Sequence, residues 1–366
     1  MARPLTKHAP QALKLMLTLR EFEAAQVRLP KPARDYFRAG ADDELTLADN
    51  ERAFDRFRLW PRVLVDVSER SLGCRVGGHD LSLPVLVAPM AYQRLAHPQG
   101  ELALARAAAA AGSLYVASTL STFTLEEIAS VGGPRWFQVY VHKDREVTAS
   151  LIRRAEAAGY SAIVLTVDVP VLGRRLNDLR NSFALPRGLT MANLAPYMAP
   201  RHNATLAAFF ASRHDASLNW HDLKWLRGLT GLPLWLKGIL RPDDARRAAR
   251  RGVDGIIVSN HGGRQLDTTP ATLDALAAIA PAARGTPLLL DGGVRRGTDV
   301  VKALALGAQA VLVGRPFLWG LAQAGETGAA RVFEILRDEF DRALALCGCR
   351  SVGEIRGDLL RCSDRA

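Results

Sequence analysis

Eight short runs of aliphatic and β-branched residues, each followed by an amphipathic helical stretch, constrain this chain more than any other feature of it. The runs cover residues 84–89, 114–118, 135–141, 162–168, 233–237, 255–259, 287–291 and 310–314. The helical stretches cover 100–111, 125–131, 145–158, 221–229, 242–251, 271–279, 297–306 and 328–345. Strands that alternate with helices pair in parallel through βαβ crossovers. Eight such units within residues 81–350 are the arithmetic of an α/β chain folded as a (β/α)8 TIM barrel. A doubly wound open sheet would place a G-x-G-x-x-G turn after its first strand, and none follows residues 84–89.

The remaining chain is assigned around that barrel. Residues 1–80 read as an N-terminal helical extension, with helix-like stretches near 12–25 and 32–39, and residues 351–366 as a C-terminal tail. Residues 169–220, after the fourth strand, are far longer than an ordinary βα loop and form an insertion over the barrel mouth. The chain is one domain in this reading.

Composition narrows the function classes. The 366 residues are 48% hydrophobic and 23% charged, a balance that supports a large core and excludes disordered, collagenous and coiled-coil chains. Cys74, Cys347, Cys349 and Cys362 form no C-x-x-C pair and no disulfide framework, which points to a reducing cytoplasm. No apolar run reaches the roughly 18 residues of a spanning helix. Arg3, Lys7, Lys14 and Arg20 near the start read as a peripheral helix rather than a transit peptide. The net charge of +11 raises nucleic acid as a partner. The densest cluster, Arg246, Arg247, Arg250 and Arg251, lies on a helix opened by Asp243 and Asp244, as a solvated face aligned with the helix dipole would. A positive field also attracts small anionic substrates and phosphate-bearing cofactors.

In a barrel of this kind chemistry sits at the C-terminal strand ends. The third strand ends in Gln138-Val-Tyr140, the fourth in Thr166-Val-Asp168, the fifth in Lys237-Gly238, and the sixth in Ser259-Asn260-His261-Gly262-Gly263-Arg264. Asp291-Gly292-Gly293-Val294-Arg295 and Gly314-Arg315 follow the seventh and eighth, where barrels hold phosphate against glycine backbones and a helix N-terminus. The paired arginines add charge-assisted donors. His261 beside Arg264 is a general base next to a carboxylate clamp, with Asp168 able to orient the imidazole. Lys237 reads as a Schiff-base lysine or as a fixed charge beside a cofactor.

The segments S-N-H-G-G-R-Q-L-D at 259–267, D-G-G-V-R-R-G-T-D-V at 291–300 and L-T-V-D at 165–168 resemble the FMN-dependent 2-hydroxy acid oxidase and dehydrogenase family. This family includes glycolate, lactate and mandelate oxidases, mandelate dehydrogenase and the flavin domain of flavocytochrome b2. The similarity runs from about Arg28 to Glu354. It implies FMN as cofactor, His261 as the base that takes a proton from the substrate, and Asp168 as its carboxylate partner. Arg264 and Arg175 correspond to the arginines that bind the substrate carboxylate, and Tyr36 and Tyr140 to the tyrosines that hydrogen-bond substrate. Lys237 corresponds to the lysine beside flavin N1 and O2. Ser118, Gln138, Thr166 and Ser259 correspond to isoalloxazine contacts, and Pro89, Met90 and Ala91 to the segment lining the N5 side. Asp291, Gly293, Arg295, Gly314 and Arg315 correspond to ribityl and phosphate contacts.

Three departures shape the expected activity. Leu120 stands where glycolate oxidase carries a tryptophan, which opens the substrate pocket to larger side chains. No haem domain precedes the barrel, and the 169–220 insertion lacks the apolar segment by which membrane-bound mandelate dehydrogenases attach. The expectation is a soluble, cytoplasmic homotetramer that binds neither membrane nor nucleic acid nor metal. It oxidises an (S)-2-hydroxy acid of medium, branched or aromatic side chain, mandelate or lactate-like, with O2 as acceptor and H2O2 as product. The alternative is a dehydrogenase of the same fold that uses a quinone or another non-oxygen acceptor; Ala91 in place of glycine leans toward the oxidase.

Overall fold

A computed structural model describes residues 11–198 and 205–362. Arg3 and Lys7, residues 199–204 of the insertion and residues 363–366 of the tail lie outside the described residues. Eight parallel strands close into a barrel in chain order: β1 (Val85–Val87), β2 (Tyr115–Ser118), β3 (Arg135–Val139), β4 (Ile163–Thr166), β5 (Leu234–Ile239), β6 (Gly255–Val258), β7 (Leu288–Asp291) and β8 (Ala310–Val313). The pairing of Val311 with Val85 joins the last strand to the first. The expected TIM barrel is therefore the observed one.

Strand periodicity builds the site. Leu86, Val116, Trp136, Val164, Trp235, Ile257, Leu289 and Leu312 belong to one buried apolar cluster inside the barrel, while their strand neighbours, among them Val85, Phe137, Ile163 and Leu288, belong to a second cluster that includes the surrounding helices. Side chains two apart on a strand share a face. One pleat further toward the C-terminal ends come Ala88, Ser118, Gln138, Thr166, Lys237, Ser259, Asp291 and Gly314. The barrel interior thus changes from hydrocarbon to hydrogen-bonding groups within one layer.

The N-terminal end of the barrel is plugged by a hairpin that straddles the expected boundary between the helical extension (1–80) and the barrel (81–350). Its strands Cys74–Val76 and His79–Leu81 pair antiparallel, and Val76 and Leu81 join the interior cluster under Trp136 and Trp235, whose rings lie 4.8 Å apart. Gly77 turns the hairpin at φ +53, where a Cβ would come within 2.2 Å of Trp136.

Other differences concern element ends. The expected helix over 12–25 is split into Gln11–Leu15 and Leu19–Glu23, with Thr18 capping the second through its side chain on Glu21 N. A helix at Leu45–Arg52 is added. The last helix begins at Arg315 rather than 328 and runs to Leu346, with a break at Ala324 and Gly325. The tail is tied down: Leu360–Cys362 pairs with Phe57–Leu59 of the extension. The insertion is folded, with helices at Leu176–Arg180 and Leu206–Arg213. Thr205 caps the latter on Ala208 N, and a bridge between His142 and His214 fastens its end to the exit of β3. No helix among the described residues is long and apolar enough to cross a membrane.

Candidate active site

One cleft opens at the C-terminal end of the barrel. Every residue that the family resemblance assigns to the site lines it except Asp168 and Ser259, which stand directly behind lining residues.

His261 leaves β6 at φ +60, a left-handed conformation uncommon outside glycine. Its backbone N–H donates to Ser259 Oγ at 3.0 Å. The ring Nδ1 lies 2.9 Å from Asp168 Oδ1, and Nε2 lies 3.5 Å from the Tyr140 hydroxyl. An ionised Asp168 accepts the Nδ1 proton and leaves the Nε2 lone pair facing the cleft. Burial pushes the imidazole below its ordinary value, against the pull of Asp168, and Lys237 and Arg175 add to the lowering. Burial works against ionisation of Asp168, but the His261 ring and then Lys237 outweigh it, and its carboxyl is held low. Asp168 has room because β5 carries Gly238 at φ +114; a Cβ there would come within 2.5 Å of the Asp168 Cβ.

Lys237 is buried at the centre of the mouth layer. Its ammonium donates to Ser259 Oγ at 2.8 Å and pairs with Asp291 Oδ2 at 2.8 Å. Burial opposes the charge, yet Asp291 and Asp168 raise its pKa overall, so it is a fixed cation rather than a neutral amine. Beside it Ser118 Oγ donates to Gln138 Oε1 at 3.3 Å, and Gln138 Nε2 donates to Thr166 Oγ1 at 2.9 Å. These polar edges form one floor.

Four arginines surround the floor. Arg264 donates to the carbonyls of Tyr36 and Ala39 at 2.7 and 2.8 Å and lies over the Tyr36 ring. Tyr36 in turn stacks on Phe183 of the insertion at 4.4 Å. Arg315 donates to the carbonyls of Phe37, Gly262 and Ala39. Burial, Arg264 and Arg295 push Arg315 down to about 9, which leaves it charged at neutral pH. Among the described residues neither Arg264 nor Arg315 has a carboxylate within 4.0 Å. Arg175 is buried, with Asp178 at 3.9 Å, and burial together with Arg264 lowers it to about 10. Arg295 differs: it pairs with Glu23 at 3.1 Å and Glu51 at 2.8 Å, both from the extension. The site therefore carries cations without matching anions, and it suits two anionic ligand groups.

The loops after β7 and β8 shape one of those places. Gly293, at φ +78, packs so closely on the helix Leu45–Arg52 that a Cβ would lie 2.0 Å from the Asn50 carbonyl oxygen. Gly314 precedes Arg315 and Pro316 at the start of the last helix, whose positive dipole end favours a phosphate. Asp291 Oδ1 and Asp168 Oδ2 are buried with no hydrogen-bond partner, as expected of acceptors that await a polyol or hydroxyl donor.

Of the apolar wall, only Leu120 is expected from the sequence; the residues that the insertion adds are not. Leu120 is buried on one side of the cleft; Val169, Leu172, Leu206 and Phe210 come from the insertion, and Phe210 packs edge-on against Tyr140 at 5.6 Å. The i, i+4 spacing of Leu206 and Phe210 is the signal that marks one helix face.

A model for the family described as FMN-dependent dehydrogenase matches residues 25–362. The L-lactate oxidase of Nostoc sp. is 52% identical over 357 residues, spanning 94% of this chain and 98% of its own length. The glycolate oxidase of Spinacia oleracea is 49% identical over 342 residues, with 92% and 93% covered. A solved structure of mandelate oxidase matches with a TM-score of 0.88 at 46% identity, over 94% of this chain and 98% of that one. The chain belongs to the FMN-dependent 2-hydroxy acid oxidase and dehydrogenase family. It is accordingly a flavoenzyme that acts on 2-hydroxy acids, with FMN as its cofactor.

Proposed function

We propose that this enzyme oxidises (S)-2-hydroxy acids with medium, branched or aromatic side chains to 2-oxo acids and passes the electrons to O2, so that hydroxy acid and O2 become oxo acid and H2O2. The observation that carries the reading is one cleft that combines the His261–Asp168 pair with two guanidinium groups lacking carboxylate partners. FMN, when bound, accepts the two electrons of the oxidation and hands them to the acceptor. Its phosphate would be held by Arg315, Arg295 and the backbones of Gly293 and Gly314, its ribityl chain by Asp291, and its ring by Ser118, Gln138, Thr166, Lys237, Ser259 and the Pro89–Met90–Ala91 segment.

The protein's own groups do the rest. Arg264 and Arg175 bind the substrate carboxylate, and fork geometry at such a pair orients as well as attracts. Tyr36 and Tyr140 hydrogen-bond the substrate, and burial keeps both phenols protonated. His261 Nε2 takes the substrate's proton, and the resulting imidazolium is stabilised by the Asp168 carboxylate behind it. The side chain points at Leu120, where no indole narrows the space. Burying apolar side-chain surface there is worth about 25 cal/mol per Å².

O2 as acceptor rests on the printed names of the relatives, which are oxidases, and on Ala91. Cysteine usage supports a cytoplasmic location, and the family resemblance supports a homotetramer. The test is steady-state kinetics on glycolate, lactate, 2-hydroxyoctanoate and mandelate, with O2 uptake and peroxide measured together. One peroxide per O2 consumed supports the oxidase. Turnover with a quinone or dye and none with O2 replaces it with the dehydrogenase, and glycolate as the best substrate overturns the side-chain assignment.

A further inference from the structure

Met90, on the flavin side of the cleft, and Leu120, on its apolar wall, face the cleft from two loops, one after β1 and one after β2, and a buried carboxylate joins these loops. Glu101 lies in the first turn of the helix Gly100–Ala110 and has no exposure to solvent. Its Oε1 accepts the backbone N–H of Gln93 at 3.1 Å and that of Thr122 at 2.8 Å. Its Oε2 accepts the Thr122 hydroxyl at 2.7 Å. Gln93 and Thr122 are themselves buried. Each is a short step from the cleft: Gln93 Nε2 donates back to the Met90 carbonyl at 3.2 Å and also to the Tyr115 hydroxyl at 2.8 Å, and Thr122 is two residues from Leu120. A further bond from Tyr92 N to Leu120 O at 3.2 Å closes the pair of loops above the carboxylate. Tyr92 sits at φ +59, a left-handed conformation that persists only where surroundings impose it.

We propose that Glu101 is a specificity-determining positioning residue: by holding the loops after β1 and β2 in one register, it sets the distance between Met90 and Leu120 and hence the side-chain volume the enzyme accepts. Glu101 lines no part of the cleft and touches neither substrate nor base, so it acts only through these loops. Its three donors are buried backbone and hydroxyl groups, and an apolar replacement leaves all three without partners, a loss the loops can relieve only by moving. Glutamine, by contrast, keeps an oxygen for the two backbone N–H groups and offers an amide N–H to the Thr122 oxygen, so it preserves the register. Thr122→Val removes the Oε2 bond, together with the one that the Thr122 hydroxyl accepts from Arg94 N at 3.3 Å, and leaves both Oε1 bonds in place.

This inference rests on the assignment of Leu120 to the substrate side-chain wall. The test compares wild-type holoenzyme with Glu101→Gln, Glu101→Leu and Thr122→Val, measuring kcat/KM for lactate, 2-hydroxyoctanoate and mandelate, the pH profile and bound FMN. The expected results are substrate ratios within threefold of wild type for Glu101→Gln, a large-to-small ratio moved at least tenfold toward unity for Glu101→Leu, and a shift of about threefold for Thr122→Val. The pH profile and flavin content stay unchanged in all of them. Should Glu101→Leu fail to fold, Thr122→Val decides, and an unmoved ratio in it overturns the proposal. A folded Glu101→Leu that keeps the wild-type ratio, or loses rate equally on every substrate, overturns it too. The wild-type ranking judges the Leu120 assignment separately, since the change of ratio on substitution does not depend on which substrate ranks first.

Discussion

In the proposed reaction, Leu120 sets what this enzyme accepts and Asp168 helps to set the pH at which it is active. Leu120→Trp fills the apolar side of the cleft, and one methylene in such a pocket is worth about 1–3 kcal/mol. The kcat/KM ratio of mandelate or 2-hydroxyoctanoate to glycolate, expected to be at least tenfold in the wild type, should therefore fall at least tenfold in the variant. A ratio that stays put removes Leu120 from the wall. The pH dependence follows from burial of His261. Its pKa in the folded enzyme is below histidine's usual 6.5, and the base works only when neutral. The acid limb of kcat/KM should thus lie below pH 6.5, with activity lost as pH falls through it. Asp168 raises the imidazole's pKa, so Asp168→Asn should move the limb to still lower pH while lowering the rate. A limb that moves up contradicts the assigned pair. The polar floor is legible in the sequence because strand alternation carries Val116, Trp136 and Ile257 to Ser118, Gln138 and Ser259 on the same face. Glu101 is not, since its partners Gln93 and Thr122 meet only after two loops have folded.

The eight barrel strands are readable one by one because each buries on both faces and so needs no partner pattern to be apolar. The helix Leu45–Arg52 has no such local mark. Its N-terminal N–H groups at Leu45 and Thr46 are capped by Asp267 from the far end of the base loop, and Asn50 exchanges two amide hydrogen bonds with Asn260 at 2.9 and 2.7 Å. Tertiary partners, not propensity, make it a helix. Its consequence is the fit between Asn50 and Gly293. Gly293→Ala places a Cβ 2.0 Å from the Asn50 carbonyl oxygen and forces φ +78 on alanine, so either the helix or the glycine turn must shift. The expected outcome is an FMN dissociation constant raised at least tenfold, measured by recovery of flavin fluorescence on dilution. Wild-type affinity would show that the turn does not shape the flavin site. The insertion illustrates the same limit: its length is plain in the sequence, but the contribution of Phe210 to the wall depends on where Leu206–Arg213 docks.

At the scale of the whole molecule, a hairpin and two tryptophans seal one end of the barrel, and the other gathers charge. The seal is illegible in the sequence, where Gly77 resembles any turn glycine until Trp136 lies against it. Stability carries its own pH signature. Burial, with His214 and Arg213 nearby, pushes His142 down to about 4. A histidine lowered in the folded state contributes stability that is complete above its unfolded pKa of 6.5 and lost as pH falls from there toward 4. Urea unfolding of the holoenzyme should lose about 1.4 kcal/mol per pH unit for this proton, and His142→Leu should flatten the slope by that amount; an unaltered slope excludes it. The central claim is that the mouth of the barrel holds FMN beside a histidine base. Anaerobic stopped-flow reduction of the bound flavin by a 2-hydroxy acid tests it most directly, in wild type and in His261→Gln. The account predicts that the variant retains FMN and its visible spectrum but is reduced about 10²–10⁴ times more slowly. Reduction within tenfold of wild type would contradict it.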